Sequence, residues 1–185
     1  FSTTGDPPSG SLKNVTITDT TALDLTALTL AQVASAGGNL TVTAGGALTD
    51  TGPLIIPGTT TITATGQAVA LDYTSNNIGT ILFGSSTNAV LSVVVEDVNA
   101  IEIGASKSTG DFTVTAGGNV TDDGTITVGG NLSVTTDDNS GLINMGTLAV
   151  DGTMALNTNG TGTATVGNDT GIEFAASTVL SLIHI

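Results

Sequence analysis

Acids are the residues best able to do chemistry in this chain. Sixteen Asp and Glu stand against two Lys, Lys13 and Lys107, with no Arg, for a net charge of −14. Asp122-Asp123 and Asp137-Asp138 are adjacent acid pairs, and Asn168-Asp169 lies near Glu173. Ca²⁺ takes six to eight oxygen ligands, so carboxylates crowded at turns are one route to a site. The calcium-binding nonapeptide GGxGxDxUx is absent, and solvated turn residues are the preferred reading. A second chemistry, glycoside cleavage, would need two acids on one face or a cationic base. Asp24, Glu102 and Glu173 each sit between two apolar residues, which points an acid outward from a strand. Such residues are read as solubility positions. A Ser or Thr nucleophile would need a base, and His184, the sole His, lies in the terminal LSLIHI. No catalytic, cofactor or metal residue is expected, and the chain is not expected to be an enzyme.

These residues sit in a chain built for strands. It has 185 residues, enough for one domain with a core, no Cys, no Trp and 3% aromatics. Thr, Val and Ile dominate, and their branched Cβ suits a pleated surface. Gly and Asn supply turns, while the good helix formers are scarce. Net negative charge argues against nucleic acid or an anionic membrane as partner. No apolar run reaches the length of a membrane span. No signal peptide is visible, and the chain begins at Phe1 rather than Met, which leaves room for a targeting segment elsewhere.

Phe1–Ser11 reads as a disordered or loop segment rich in Pro, Gly and Ser. Ala22–Ala36 is ambiguous between a short amphipathic helix and strands; its Thr content and the Leu23/Leu25 and Leu28/Leu30 spacings favour strands. From Leu40 the chain becomes a series of apolar pairs at i, i+2, among them Leu40/Val42, Leu54/Ile56, Leu91/Val93/Val95, Phe112/Val114 and Ile172/Phe174. Each pair predicts one short strand with two inward side chains. The spacing suits either an antiparallel sandwich or a parallel solenoid.

A repeat decides between them. Leu40-Thr41-Val42-Thr43-Ala44-Gly45-Gly46 returns as Phe112-Thr113-Val114-Thr115-Ala116-Gly117-Gly118. Leu48-Thr49-Asp50 returns as Val120-Thr121-Asp122 at the same offset. Ile101-Glu102-Ile103 matches Ile172-Glu173-Phe174, and Val15-Thr16-Ile17 matches Val93-Val94-Val95 at related offsets. Tandem immunoglobulin-like sandwiches would need units of about 90–100 residues, longer than the interval from Leu40 to Phe112. The expectation is an all-β parallel β-helix with two strands per rung, rungs of about 18–20 residues and about four rungs per repeat. Gly pairs mark its corners. Asn39, Asn119 and Asn131 each follow Gly-Gly, and are expected to be turn residues or a stacked amide ladder. The N-x-Ser/Thr sites at Asn14, Asn39, Asn119, Asn131, Asn159 and Asn168 follow from the abundance of Thr.

Gly37–Ala64, followed by Ala68–Gly79 with its Asn76-Asn77-Ile78-Gly79, resembles the repeat region of filamentous-haemagglutinin-like bacterial adhesins. The resemblance runs over about Val15–Val179 and implies a right-handed parallel β-helix. It also implies a secreted or cell-surface location, and export by a two-partner or autotransporter route through an outer-membrane partner. The expected domain is residues 12–179, an interior piece of a longer array. Leu180–Ile185 resembles the translation of a sequencing adapter and is set aside. The function implied is a stiff adhesive rod contacting cell-surface glycans or proteins. A passive stalk and a carbohydrate-active β-helix enzyme are the alternatives.

Overall fold

The computed structural model describes residues 2–3, 14–30, 38–137 and 140–184. Those residues form nineteen strands and no helix. In chain order they are β1 (Ser2–Thr3), β2 (Asn14–Asp19), β3 (Leu23–Leu25), β4 (Leu28–Thr29), β5 (Asn39–Ala44), β6 (Leu48–Asp50), β7 (Leu54–Thr63), β8 (Ala68–Leu71) and β9 (Asn77–Phe83). Then come β10 (Ser92–Asp97), β11 (Ile101–Ser108), β12 (Phe112–Ala116), β13 (Val120–Val128), β14 (Leu132–Thr136), β15 (Ile143–Val150), β16 (Thr153–Asn157), β17 (Thr163–Asn168), β18 (Glu173–Phe174) and β19 (Ser181–His184).

The strands alternate between two sheets as the chain winds. One sheet runs β1-β2-β5-β7-β9-β11-β13-β15-β17-β19, with β4 against β7. The other runs β3-β6-β8-β10-β12-β14-β16-β18, one strand for each of eight turns. Every pairing is parallel except β1 on β2, where Ser2 and Thr3 face Thr16 and Val15. The molecule is a parallel β-solenoid, about 35–40 Å long at the spacing of hydrogen-bonded strands. The strand reading of Ala22–Ala36 holds at β3 and β4; residues 31–36 lie outside the described residues, as do most of residues 1–11.

Two expectations need correction. Each turn carries three straight runs, because the long strands of the first sheet hold two. In β7 the buried pair Leu54/Ile56 is followed by Thr60/Ile62; in β11, Ile101/Ile103 by Ser106/Ser108; in β15, Ile143/Met145 by Leu148/Val150. Between the two runs the register slips, between Ile56 and Thr59, Gly104 and Ser106, and Met145 and Leu148. An extra residue of this kind bends a strand and resets which side chains point inward. Rungs are also more varied than expected: Phe112 pairs with Leu132, twenty on as expected, but Leu23 with Leu48, twenty-five on, and Val69 with Val93, twenty-four on.

Three runs per turn explain the repeat. Leu40 and Val42 lie in β5 of the first sheet, while Phe112 and Val114 lie in β12 of the second. Leu48 in β6 and its match Val120 in β13 also change sheets. The unit from Leu40 to Phe112 therefore spans ten runs, three turns and one run more, and not four rungs. Equivalent residues share a chemical setting on different sides of the solenoid.

The core is a column of stacked apolar side chains, mostly aliphatic. Leu48, Val69, Val93, Phe112, Leu132 and Met154 follow one another in register on the second sheet, all buried. Phe83 meets Phe112 edge-on, with ring centroids 5.5 Å apart and planes at 86°, a favoured aromatic geometry. The inward pattern fails at Leu91 and Phe174, which are exposed; Phe174 belongs to β18, the edge strand of its sheet among the described residues. Gly45-Gly46 and Gly117-Gly118 are corners, as expected. Their N–H groups donate to Asp19 O and Thr21 O, and to Asp97 O and Asn99 O, of the preceding turn. A Cβ on Gly45 would overlap Thr20 O, and one on Gly117 would overlap Val98 O.

Candidate functional site

Three polar side chains are buried one above another where β6, β8 and β10 turn back toward the first sheet. Leu48 and Val95 point inward, so Asp50 and Asp97, two residues on, do too. Asp50 Oδ1 accepts from the N–H of Asp72 (3.0 Å) and Tyr73 (3.2 Å). Its Oδ2 accepts from Asn76 Nδ2 at 2.7 Å. Asn76, fully buried, also donates to Leu71 O (3.2 Å), and its Oδ1 accepts from Leu54 N (2.8 Å). Asp97 accepts from Ile78 N and Asn99 N. Burial raises the carboxyl pKa of both Asp50 and Asp97 above the ordinary range, against the pull of these hydrogen bonds. Their oxygens are engaged in tying adjacent turns together, which is structural work.

The other acids are scattered. Asp24 is on β3, Glu102 on β11 and Glu173 on β18, so two different sheets carry them. Asp24 and Glu173 share a sheet but stand seven strands apart, about 34 Å. Asp24 accepts from Thr49 Oγ1 and Thr51 Oγ1, and Glu102 Oε2 from Thr80 Oγ1 at 2.9 Å. Asp122 accepts from Gly146 N, Thr147 N and Thr147 Oγ1 of the next turn. Its neighbour Asp123 is exposed at the outer face, and Asp138 lies outside the described residues. Asn168 Oδ1 accepts from Val150 N. Asp19, at the surface, is held below the ordinary carboxylate range by the Thr21 hydroxyl and N–H. Among the described residues no three His, Cys, Asp or Glu side chains gather.

Asn39, Asn119 and Asn131 do not form one ladder. Asn39 opens β5, Asn119 precedes β13 and Asn131 precedes β14, which are three different sides of the coil. Each instead accepts a backbone N–H from the following turn: Asn39 from Thr59 (2.9 Å), Asn119 from Leu142 (2.9 Å), Asn131 from Thr153 (3.0 Å). Asp111, the counterpart of Asn39 in the repeat, does the same for Asn131 N at 2.8 Å.

The outer faces carry the remaining chemistry. Thr16, Thr41 and Thr61 stand in register on β2, β5 and β7, as do Thr18, Thr43 and Thr63. All six side chains point away from the core, and their hydroxyls make no hydrogen bond among the described residues. Further along the same sheet an open groove of about 490 Å³ is lined by Leu82, Ser85, Ser86, Ala105, Lys107 and Thr127. Lys107 has no ion pair or side-chain hydrogen bond among the described residues. The other lysine, Lys13, lies outside them. In the sequence Lys107 stands out only in the charge balance, since its neighbours in the groove come from separate turns and a loop.

A family model described as repeats of unknown function (DUF5649) matches residues 12–83 and 88–145, together more than half of the chain. The first match is as long as the interval from Leu40 to Phe112, the offset of the internal repeat. No curated protein and no solved structure matches the chain.

Proposed function

The chain belongs to the DUF5649 repeat family, and from that premise we propose that it is a structural and adhesive segment of a large bacterial exoprotein. In this reading the full-length protein is of the filamentous-haemagglutinin-like kind, exported through an outer-membrane partner and held at the cell surface or released. The segment is a stiff rod, and its outer strand faces contact glycans or proteins on other cells. It performs no catalysis.

The observation that most supports contact is the threonine array on β2, β5 and β7. Six outward hydroxyls in register, without partners among the described residues, form a surface able to donate and accept hydrogen bonds. Stiffness is supported by the pairing of each turn with its neighbours along both sheets. The acids support solubility rather than cleavage, since Asp24, Glu102 and Glu173 are dispersed. Among the described residues no helix is long and apolar enough to cross a membrane.

A glycan panel and intact cells, each exposed to the purified protein, test this reading. Binding without turnover is expected, reduced by charge or bulk placed at Thr41 and Thr61. Turnover of any glycan would instead make the protein a carbohydrate-active enzyme. Failure to bind any glycan or cell would leave a passive stalk.

A further inference from the structure

We propose that the groove beside Lys107 binds a single carboxylated sugar residue, the carboxylate on the Lys107 ammonium; this rests on the reading of the outer faces as contact surfaces. The groove sits at the junction of two repeats. Residues 84–87 fall between the two family matches, and they supply part of its lining through Ser85 and Ser86. This arm is held in place. Ser85 N donates to Asn88 O (3.1 Å) and Asn88 N to Ser85 O (3.2 Å). Gly84 enters it at φ +67°, and a Cβ there would lie 2.6 Å from Asn88 O, so the bend needs glycine. Val90 N then donates to Lys107 O at 3.0 Å, fixing the arm to the strand that carries the cation. The groove is therefore preformed, and its volume of about 490 Å³ is ample for a monosaccharide.

The lining matches the two sides of a sugar acid. Leu82 and Ala105 offer apolar surface to the C–H face of the ring. Ser85, Ser86 and Thr127 offer hydroxyls that donate or accept. Thr127 is the register partner of Lys107 on the next turn. Lys107 offers a positive charge unpaired among the described residues, in a chain of net charge −14. Glu102, on the same strand, accepts from Thr80, and Asp123 pairs in register with Gly104 beyond the joint of that strand. A polyanionic glycan would meet one cation and then many acids. A lone carboxylate meets the cation at contact distance, while charges beyond a screening length of about 8 Å are damped at physiological salt.

Amide NMR titration of the ¹⁵N-labelled protein with glucuronic acid, galacturonic acid and N-acetylneuraminic acid tests this, with glucose and galactose as neutral controls. At least one acid is expected to shift the amides of Ser85, Ser86, Lys107 and Thr127 saturably. Lys107→Gln should weaken binding at least about tenfold, the value of one hydrogen bond to a charged group, while Lys107→Arg should retain most of it. Three results would each overturn the proposal: no groove shifts with any acid, equal binding of the neutral sugars, or Lys107→Gln binding like the wild type. If the protein binds glycans elsewhere but not here, the groove assignment fails and the contact-surface reading stands. If it binds no glycan or cell at all, both fail.

Discussion

Replacing Asn76 with aspartate exchanges one NH₂ for an oxygen and leaves the volume of the site unchanged. The effect follows from what surrounds that nitrogen. It donates to Asp50 Oδ2 at 2.7 Å and to Leu71 O at 3.2 Å, inside a fully buried corner. In Asn76→Asp an acceptor faces both acceptors, one of them a carboxylate whose pKa burial already raises. One hydrogen bond to a charged group and one to a neutral carbonyl are lost, and two buried carboxylates are set side by side. Together this costs about 3–5 kcal/mol at neutral pH. Protonation of one carboxyl restores a donor, so near pH 4 the loss should shrink to about 1–2 kcal/mol. The sign follows from linkage. The introduced carboxyl has a higher pKa folded than unfolded, so its penalty is absent below the unfolded value and grows as pH rises through the folded one. Asn76→Ala is the control: it removes the partner of Leu54 N and Asp50 Oδ2 and should destabilise without comparable recovery in acid. Urea unfolding followed by circular dichroism at both pH values measures each variant. A loss for Asn76→Asp that is equal at the two pH values, or under about 0.5 kcal/mol at neutral pH, would refute the reasoning.

Among the described residues Thr60 Oγ1 is buried without a hydrogen-bond partner, so Thr60→Val should raise stability by about 1–2 kcal/mol; an unchanged or lower urea midpoint counts against this. Gly45→Ala and Gly117→Ala should each destabilise by about 2–4 kcal/mol, since a Cβ meets backbone of the preceding turn. Gly146→Ala, with open space around the new methyl, should stay within about 0.5 kcal/mol, and three equal effects would undo the corner argument. Carbon-13 titration of the Asp97 carboxyl should give a midpoint above the usual value of about 3.9. Because folding raises it, its contribution to stability is fully present below the unfolded value and lost as pH rises through the folded one. A midpoint below the usual value contradicts that.

Much of this fold is legible in the residues, and the parts that are not share a cause. Alternating aliphatics at Leu40/Val42 and Phe112/Val114 mark inward faces, and the recurrence of one phrase in the other argues for stacked turns over a sandwich. Several runs escape notice because a polar residue occupies one of their inward positions. Thr60 before Ile62, Ser106 with Ser108, and Asp50 after Leu48 interrupt the apolar pairing while pointing into the core. Counting apolar pairs therefore overestimates the mean spacing of runs, which leads to two runs per turn and four rungs per repeat. Asp50 and Asp97 could have been found, since each sits two residues after an inward aliphatic, the wrong phase for a solubility acid. The Lys107 groove could not. Its lining is gathered from residues 82 to 127 by the stacking of turns, and no local pattern records that.

The solenoid is tested most directly by a distance ruler along its second sheet, made simple by the absence of native Cys. A nitroxide on a Cys at Thr49 in β6 is paired in turn with one at Thr113 in β12, Ser133 in β14, Ala155 in β16 or Glu173 in β18, all outward positions on successive turns. Pulsed electron resonance should give distances of about 14, 19, 24 and 29 Å, one strand spacing more at each step. Distances that fail to rise step by step, as an antiparallel sandwich would give, would contradict the stacked-turn architecture on which the proposed contact faces depend.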